Sequence, residues 1–262
     1  MAEQQIRFED GAAYERWMGA WSRLAGTVFL DWLAPPAERR WLDVGCGSGA
    51  FSQLVTDRCA PAELHGIDPS EAQLAFARSR PAARVAQFRQ GDATALPFPD
   101  RRFDVAVMAL VIFFVPEPEK GVAEMMRVVD PGGVVAAYAW DMPGGGFPGE
   151  PIHTEMRAMG VRYPRPPSYQ ISAFDALRGL WRSAGLDMVE AHEITVERTF
   201  AGFDDFWTTA LASGNIGPIV RALPPGDGDR LKMRVQASLP ADAAGQITYS
   251  ARANAVKGRV PE

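Results

Sequence analysis

The chain from Arg40 to Trp140 alternates short apolar, β-branched segments with longer amphipathic ones. This alternation is typical of parallel strands joined by crossover helices. Strands are predicted at Trp41–Gly45, Glu63–Ile67, Arg84–Phe88, Phe103–Leu110 and Val134–Trp140. Helices are predicted between them at Gly49–Cys59, Ser70–Arg80 and Glu117–Val129. Ser70 followed by Gln73 is a capping-box pattern, which marks the start of the second helix.

The pattern changes after Trp140. The segments DMPGGGFPGEP and RYPRPPS are too rich in glycine and proline for a core element, so residues 143–171 are predicted to form a loop-rich insertion or cap. An apolar helical face follows and ends at Gly185, and Leu186–Phe200 is predicted to be extended. Residues from about 203 to 240 are predicted to be a helical insertion, and Gln246–Val256 a last strand.

Residues 1–34 carry a different pattern, with apolar side chains at three- and four-residue steps. These side chains predict one face of an amphipathic helix: Tyr14, Trp17, Met18, Trp21, Leu24 and Val28. The face either packs permanently on elements that flank the sheet or closes as a lid over a ligand. Gly19, which weakens a helix by about 1 kcal/mol relative to alanine, favours the lid.

Composition narrows the class of protein. The 262 residues are 47% hydrophobic and carry a net charge of −5, which fits one large domain and a small-molecule partner rather than nucleic acid. No apolar run is long enough for a membrane span, and the polar start lacks a signal-peptide pattern, so we expect a cytoplasmic protein. Cys46 and Cys59 indicate neither a disulfide framework nor a metal site. The oligomeric state is not indicated.

A glycine-rich motif, Asp43-Val44-Gly45-Cys46-Gly47-Ser48-Gly49, lies at a predicted strand-to-helix turn. Glycines there let the backbone turn sharply and approach a ligand without side-chain collision. Read as Gly45, Gly47 and Ala50, the motif also fits the dinucleotide fingerprint, in which a pyrophosphate lies on the helix N-terminus. A purely structural turn is a third interpretation, and the motif alone does not distinguish among the three.

Acidic residues follow the next two predicted strands. Asp68 can accept hydrogen bonds from both hydroxyls of a ribose and so indicates an adenosine-type ligand, although it could instead stabilise the N-terminus of the following helix. Asp92 is well placed to accept from an exocyclic adenine amine. Dehydrogenases do not need that contact, so Asp92 separates the candidates.

From about Asp31 to Trp140 the chain resembles the class I S-adenosylmethionine-dependent methyltransferases, especially the type 11 group of ubiquinone and menaquinone ring C-methyltransferases. The resemblance rests on four motifs in family order: DVGCGSG, GIDPS, GDATALPFPDRRFDVAV and EMMRVVDPGG. It implies an α/β, Rossmann-like fold, with a seven-stranded, mostly parallel sheet whose last strand is antiparallel, helices on both faces, and a helical or loop cap. Residues 35–142 would bind S-adenosyl-L-methionine, and residues 172–262 would complete the core.

The resemblance also implies a cofactor site, with S-adenosyl-L-homocysteine as the product. Gly45, Cys46 and Gly47 would line the methionyl part, and the strand end near Leu110 would bind the methionyl amine. Asp68 would bind the ribose, and Asp92 with Ala93 the adenine. The residues predicted to bind the cofactor are Asp43, Gly45, Cys46, Gly47, Asp68, Pro69, Gln73, Asp92, Ala93, Leu110 and Arg23, with Arg16 or Arg23 facing the methionyl carboxylate.

The acceptor side departs from the family pattern, because Phe113-Phe114 stands where many relatives carry histidines. A base is optional when the methyl donor is already a strong electrophile, and His153, His192 and Tyr169 are the candidates for one, without a recognisable catalytic motif. No catalytic residue is identified. The predicted acceptor pocket is aromatic, with walls from Tyr14, Trp17, Trp21, Phe113, Phe114, Trp140, Phe206 and Trp207.

Positive charge is concentrated in the insertion and the helix after it, on Arg157, Arg162, Arg165, Arg178 and Arg182. These arginines indicate either a solvated surface or an acidic acceptor. Two other functions stay open: a non-catalytic S-adenosylmethionine-binding protein, and a nicotinamide- or flavin-dependent oxidoreductase. The oxidoreductase would leave Asp92 and the DPGG turn unexplained.

Overall fold

A computed structural model describes residues 15–214 and 216–262, with side chains from Trp17 onward. Seven strands form one sheet: β1 Arg40–Val44, β2 Glu63–Asp68, β3 Ala86–Gln90, β4 Phe103–Ala109, β5 Val129–Trp140, β6 Asp187–Phe200 and β7 Ile247–Arg259. Their order across the sheet is β3-β2-β1-β4-β5-β7-β6. Strand β7 is antiparallel to both of its neighbours, and the pairs from β3 to β5 are parallel. The predicted α/β fold with an antiparallel last strand is confirmed.

Helices precede, connect or follow these strands. They are α1 Ala20–Leu33, α2 Ala50–Cys59, α3 Glu71–Arg78, α4 Pro118–Val128, α5 Glu150–Ala158, α6 Phe174–Ser183, α7 Phe203–Leu211, α8 Gly217–Arg221 and α9 Asp227–Ser238. A π-helical turn at Glu15–Gly19 leads into α1. Helix α3 begins directly after Ser70, whose hydroxyl accepts a hydrogen bond from the Gln73 backbone N–H, as the capping pattern predicts. No helix in these described stretches is long and apolar enough to cross a membrane.

The burial of each strand explains the hydrophobic pattern by which it can be predicted from the sequence. The centre of the sheet is covered on both faces, so β1 is buried without alternation from Trp41 to Val44, and its apolar residues Trp41, Leu42 and Val44 are at most 1% exposed. Strand β6 lies at the edge, and its buried residues Ile194 and Val196 alternate with exposed ones. A single buried face of this kind requires a period of two.

Two predicted strand starts differ from the structure. Strand β3 begins at Ala86 rather than Arg84, because Pro81–Arg84 forms a 3-10 turn that uses the first predicted positions. Strand β5 begins at Val129 rather than Val134. The DPGG segment remains extended there because Gly132 N donates to the Val260 carbonyl, beyond the end of β7, at 2.8 Å.

The N-terminal helix is packed into the core. Trp17 and Trp21 are fully buried, with ring centroids 5.8 Å from Phe206 and 5.0 Å from Tyr249. Phe29, further along α1, stacks on a β5 side chain. These contacts favour permanent packing of residues 17–33 over a mobile lid. The predicted positions Tyr14 and Arg16 have side chains outside the described part of the chain.

The insertion at residues 143–171 contains helix α5 and is fastened over one end of the sheet. Ser168 donates from its backbone N–H to the Phe113 carbonyl at 3.0 Å, and from its hydroxyl to the Val115 carbonyl at 2.7 Å. The Tyr169 hydroxyl donates to the Met142 carbonyl at 2.8 Å. The insertion therefore lies beside the carboxyl ends of β4 and β5.

Candidate active site

A cavity of about 1120 Å³ opens at the carboxyl ends of β1, β2 and β4, where the strand order reverses. Ligands of open α/β sheets bind at this position. Small-molecule pockets commonly measure about 300–1,000 Å³, so the cavity has room for more than one small ligand. All the residues predicted to bind a cofactor line it: Asp43, Gly45, Cys46, Gly47, Asp68, Pro69, Gln73, Asp92, Ala93, Leu110 and Arg23.

The glycine loop after β1 forms one wall of the cavity. Gly45, Gly47 and Gly49 have φ values of +74°, +51° and +76°, a conformation that glycine adopts without strain. A Cβ at position 45 would lie 2.5 Å from a methyl group of Val111, whereas one at position 47 would meet no heavy atom within 4 Å. Close packing therefore requires Gly45, while Gly47 leaves the backbone open towards a ligand.

Asp43 is a buried carboxylate with one unused oxygen. Oδ2 accepts a hydrogen bond from the Ser52 hydroxyl at 2.6 Å, but Oδ1 has no partner among the described residues. Burial, together with the smaller effect of the negative charge of Asp68, raises the pKa of Asp43 to about 7, while the hydrogen bonds from Ser52 act in the opposite direction. An unpaired oxygen on a partly ionised, desolvated carboxyl group is a strong site for a cationic ligand group.

Asp68 joins the two loops that flank it. Its Oδ2 accepts from the backbone N–H of Gly47 at 3.0 Å, and its Oδ1 accepts from that of Ser70 at 2.8 Å. Burial raises the pKa of Asp68, while these two hydrogen bonds act in the opposite direction. Each carboxylate oxygen can accept more than one hydrogen bond, so both remain able to bind hydroxyls of a ligand.

Asp92 stands on the loop after β3. Its Oδ1 accepts from the backbone and the hydroxyl of Thr94, both at 2.7 Å, and these bonds lower the pKa of Asp92. Arg127 anchors the same loop by donating to the carbonyls of Leu96 and Phe98 at 3.0 and 2.8 Å. The carboxylate is therefore ionised and held in a fixed loop.

The predicted acceptor residues divide into two groups. Phe113, Phe114 and Trp140 line a recess of about 70 Å³ that adjoins the cavity. Cavity and recess share Leu110, Phe114, Tyr163, Pro164, Arg165 and Pro166. The other group is not among the lining residues of either space; it is buried with Phe200 and Tyr249 and comprises Trp17, Trp21, Phe206 and Trp207.

The three candidate bases occupy different environments. His153 lines the recess between the rings of Phe147 and Tyr163, and burial, with Arg157 and Arg165 nearby, lowers its pKa to about 4. Tyr169 also lines the recess, but burial raises its pKa. His192 stacks on Trp32 at the outer strand β6 and lines neither space.

The arginines also separate. Arg162 and Arg165 line the cavity, whereas Arg157 pairs with Glu150 and Arg178 pairs with Asp175 at 2.7 Å. Arg182 is exposed on α6.

Several lining residues were not predicted as cofactor or acceptor residues. Ser22 on α1 has a buried hydroxyl without a described partner, and Phe51 and Tyr138 supply aromatic surface from α2 and β5. Strand β5 is buried on both faces from Val135 to Trp140, so no alternation in its sequence distinguishes Tyr138 as a lining residue. Tyr163 and its neighbours lie in the glycine- and proline-rich insertion, where no periodicity gives a side chain its direction.

Comparisons with known proteins agree with this architecture. Residues 42–137 match a family model described as "Methyltransferase domain". A demethylmenaquinone methyltransferase of Thermus thermophilus is 34% identical over 125 residues, which cover 47% of this chain and 55% of that protein. A ubiquinone/menaquinone biosynthesis C-methyltransferase of Dinoroseobacter shibae is 37% identical over 119 residues, which cover 44% and 48%. The chain thus spans about half the length of these relatives.

Solved structures resemble the chain over most of its length. The YcgJ protein of Bacillus subtilis has a TM-score of 0.57 at 16% identity, with 91% of this chain and 98% of that one covered. A phosphoethanolamine N-methyltransferase of Haemonchus contortus, in complex with S-adenosyl-L-methionine, has a TM-score of 0.59 at 17% identity, with 98% and 60% covered. At these identities the likeness establishes the fold. Residues 42–137 thus match a methyltransferase domain family, and the resemblance to the class I S-adenosylmethionine-dependent methyltransferases is confirmed.

Proposed function

We propose that the protein transfers the methyl group of S-adenosyl-L-methionine to a small-molecule acceptor and releases S-adenosyl-L-homocysteine. The observation that carries the proposal is the convergence of Asp43, Asp68 and Asp92 with the open backbone of Gly47 on one cavity. Each of these groups is complementary to a different part of that cofactor.

The residues fit the cofactor in chemistry and in space. The unpaired Oδ1 of Asp43 suits the methionyl ammonium group, and Gly47 leaves room where a side chain would intrude. Asp68 has remaining acceptor capacity for the ribose hydroxyls, and Asp92 is ionised to accept from the adenine amine. Arg23 lines the same cavity and would face the methionyl carboxylate.

When bound, the cofactor supplies an electrophilic methyl group on a positively charged sulfur. The chain's contribution is then to hold an acceptor in line with that group and to exclude water, and positioning of this kind is worth about 7–11 kcal/mol of barrier. Leu110 and Phe114 line both cavity and recess, so they stand between the proposed cofactor and acceptor positions. His153 is unprotonated at neutral pH, but its pKa of about 4 makes it a weak base, and it is not assigned as the group that accepts a proton from the acceptor.

Two alternatives make different predictions. A nicotinamide- or flavin-dependent oxidoreductase would use the glycine loop but not Asp92, and a non-catalytic binding protein would hold the cofactor without an acceptor. A cytoplasmic location and a partner other than nucleic acid stay predictions; the net charge of −5 supports the second.

Calorimetric titration tests the proposed function. The wild-type protein should bind S-adenosyl-L-homocysteine, and Asp68→Ala should weaken binding by about tenfold or more, since hydrogen bonds to charged groups are worth about 1.5–3 kcal/mol each. Asp92→Asn should bind more weakly than wild type, and Asp92→Ala more weakly still. Tight NADH binding with no effect of either Asp92 variant would support the oxidoreductase instead.

An acceptor screen with isotopically labelled methyl donor then separates the enzyme from a binding protein. Transfer of label to a small molecule, reduced about tenfold or more in Asp68→Ala at a limiting concentration of methyl donor, is the expected result. Cofactor binding without transfer to any acceptor in a broad screen would favour the non-catalytic alternative.

A further inference from the structure

The recess beside the cavity is built from rings. Phe147, His153 and Tyr163 form a stack with centroid separations of 5.2 and 4.2 Å and interplanar angles of about 20°. Phe113 and Phe114, 4.6 Å apart, complete the aromatic lining. Aromatic side chains favour flat ligands, which can stack on their faces or meet their edges. The walls thus select a planar group over a branched aliphatic one.

One polar hydrogen in this lining has no partner. Trp140 is 1% exposed, and its indole N–H is buried without a hydrogen-bond acceptor among the described residues. Trp17 and Trp41 also carry unpartnered indole N–H groups, but Trp140 is the one of these three whose side chain lines the recess. An unmade buried hydrogen bond costs about 1–3 kcal/mol, so an oxygen atom of a ligand would be stabilised there.

The charge at the recess is positive. Arg165 lines both the recess and the cavity, with its guanidinium 4.8 Å from the centroid of the Tyr169 ring, and has no carboxylate partner among the described residues. Glu150, the carboxylate in the recess lining, is paired with Arg157. His153 is uncharged at neutral pH, because burial lowers its pKa to about 4. Arg165 therefore supplies the free charge at this end of the site.

We propose that the methyl acceptor is an acidic aromatic compound, with its ring where the recess opens into the larger cavity, beside Phe114 and Tyr163, which line both spaces. An oxygen of the ring system accepts from the Trp140 indole, and its carboxylate or other anionic group pairs with Arg165. The inference rests on the proposed function, because it assigns the acceptor half of the same site. It names a substrate class by charge and shape.

Salicylate and salicylamide are a matched pair of probes for this assignment. They share the aromatic ring and the hydroxyl group and have nearly the same size, but salicylate is an anion at neutral pH and salicylamide is neutral. Calorimetric titration into wild-type protein, with and without saturating S-adenosyl-L-homocysteine, should show salicylate binding about tenfold more tightly or better. Arg165→Gln should remove that preference by weakening salicylate alone.

Two control variants keep the test specific. Arg178→Gln removes an arginine that is paired with Asp175 and does not line the recess, so it should preserve the preference for salicylate. Trp140→Phe should weaken both probes alike, by about fivefold or more. Trp41→Phe, which deletes an equally buried and unpartnered indole N–H elsewhere in the sheet, should weaken neither. S-adenosyl-L-homocysteine affinity and the far-ultraviolet circular dichroism spectrum, to which a single indole contributes little, verify that each variant is folded.

The outcomes separate the two proposals. Failure of S-adenosyl-L-homocysteine to bind would overturn the proposed function, while the titrations without it still measure the recess. Suppose instead that S-adenosyl-L-homocysteine binds. The acidic aromatic acceptor is then overturned, and the proposed function stands, if salicylate does not bind or if the two probes bind with equal affinity. The same conclusion follows if Arg165→Gln and Arg178→Gln have the same effect.

Discussion

Asp43 allows a test of the site that needs no ligand. Burial raises its pKa from 3.8 to about 7, so the folded protein holds a proton on Asp43 at pH values where the unfolded chain has lost it. The resulting stabilisation is complete below about pH 4 and is lost as the pH rises through 7. Because one pKa unit is worth about 1.4 kcal/mol, ionised Asp43 lowers the free energy of unfolding by about 4 kcal/mol above pH 7.

The substitution Asp43→Asn replaces this titrating group by an amide of the same shape. Its effect on the free energy of unfolding should therefore depend on pH. Between pH 5 and pH 8 the variant should gain about 3 kcal/mol relative to wild type, since most of the proton release in folded wild type falls in that interval. Because the variant is compared with wild type, the contributions of all groups that titrate identically in both proteins cancel from this difference in stability. At pH 8 the same variant should bind S-adenosyl-L-homocysteine at least about tenfold more weakly, because the ammonium group loses its charged partner.

Denaturant unfolding of ligand-free wild type and Asp43→Asn at pH 5 and pH 8 measures the stability difference. Asp92→Asn is the matched control. The pKa of Asp92 is lowered by its hydrogen bonds from Thr94, so its stabilisation is present above pH 4 and is lost only in more acidic solution. That variant should show the same stability difference at both pH values. If the difference in free energy of unfolding between Asp43→Asn and wild type is also the same at both pH values, burial does not raise the pKa of Asp43 and the reasoning fails.

Three further substitutions test the framework around the site. Gly45→Ala should destabilise the fold by about 2–4 kcal/mol in denaturant unfolding, because alanine is strained at φ +74° and its methyl group would collide with Val111. Trp21→Ala should cost about 3–5 kcal/mol by the same measurement if α1 is permanent core; a loss below about 1 kcal/mol would instead support a lid. Arg127→Met should speed hydrogen exchange in the loop after β3 and weaken cofactor binding, and unchanged exchange would show that the loop is held by other contacts.

The parts of the fold predicted correctly are those in which one local pattern has one physical cause. Ser70 caps its helix through its own hydroxyl, and the edge strand β6 alternates because only one of its faces is buried. The predicted start of β3 lies two residues before the observed one, because a 3-10 turn and a strand have no distinct sequence signature over four residues. The start of β5 depends on a bond from Gly132 to the carbonyl of Val260, a contact between positions more than a hundred residues apart.

The proposed cofactor and acceptor halves of the candidate site also differ in how far the sequence predicts them. The positions proposed for the cofactor follow strand ends in a fixed order, so motifs alone indicated Asp43, Asp68 and Asp92. Acceptor positions depend on how the insertion folds back over the sheet. Aromatic composition selected Trp140 and Trp17 equally, and only the three-dimensional arrangement places one in the recess and the other in a separate cluster.

The fastening of Ser168 to the carbonyls of Phe113 and Val115 has a thermodynamic consequence. Those carbonyls lie just after Leu110, which lines the cavity, and they flank Phe114, which lines both spaces. If one of the proposed ligands displaces the insertion, these hydrogen bonds would shift residues that line the position of the other. Linkage requires the effect to be reciprocal: the factor by which the cofactor changes acceptor affinity equals the factor by which the acceptor changes cofactor affinity. The two hydrogen bonds of Ser168, far from any motif, are contacts through which the proposed cofactor and acceptor would affect each other.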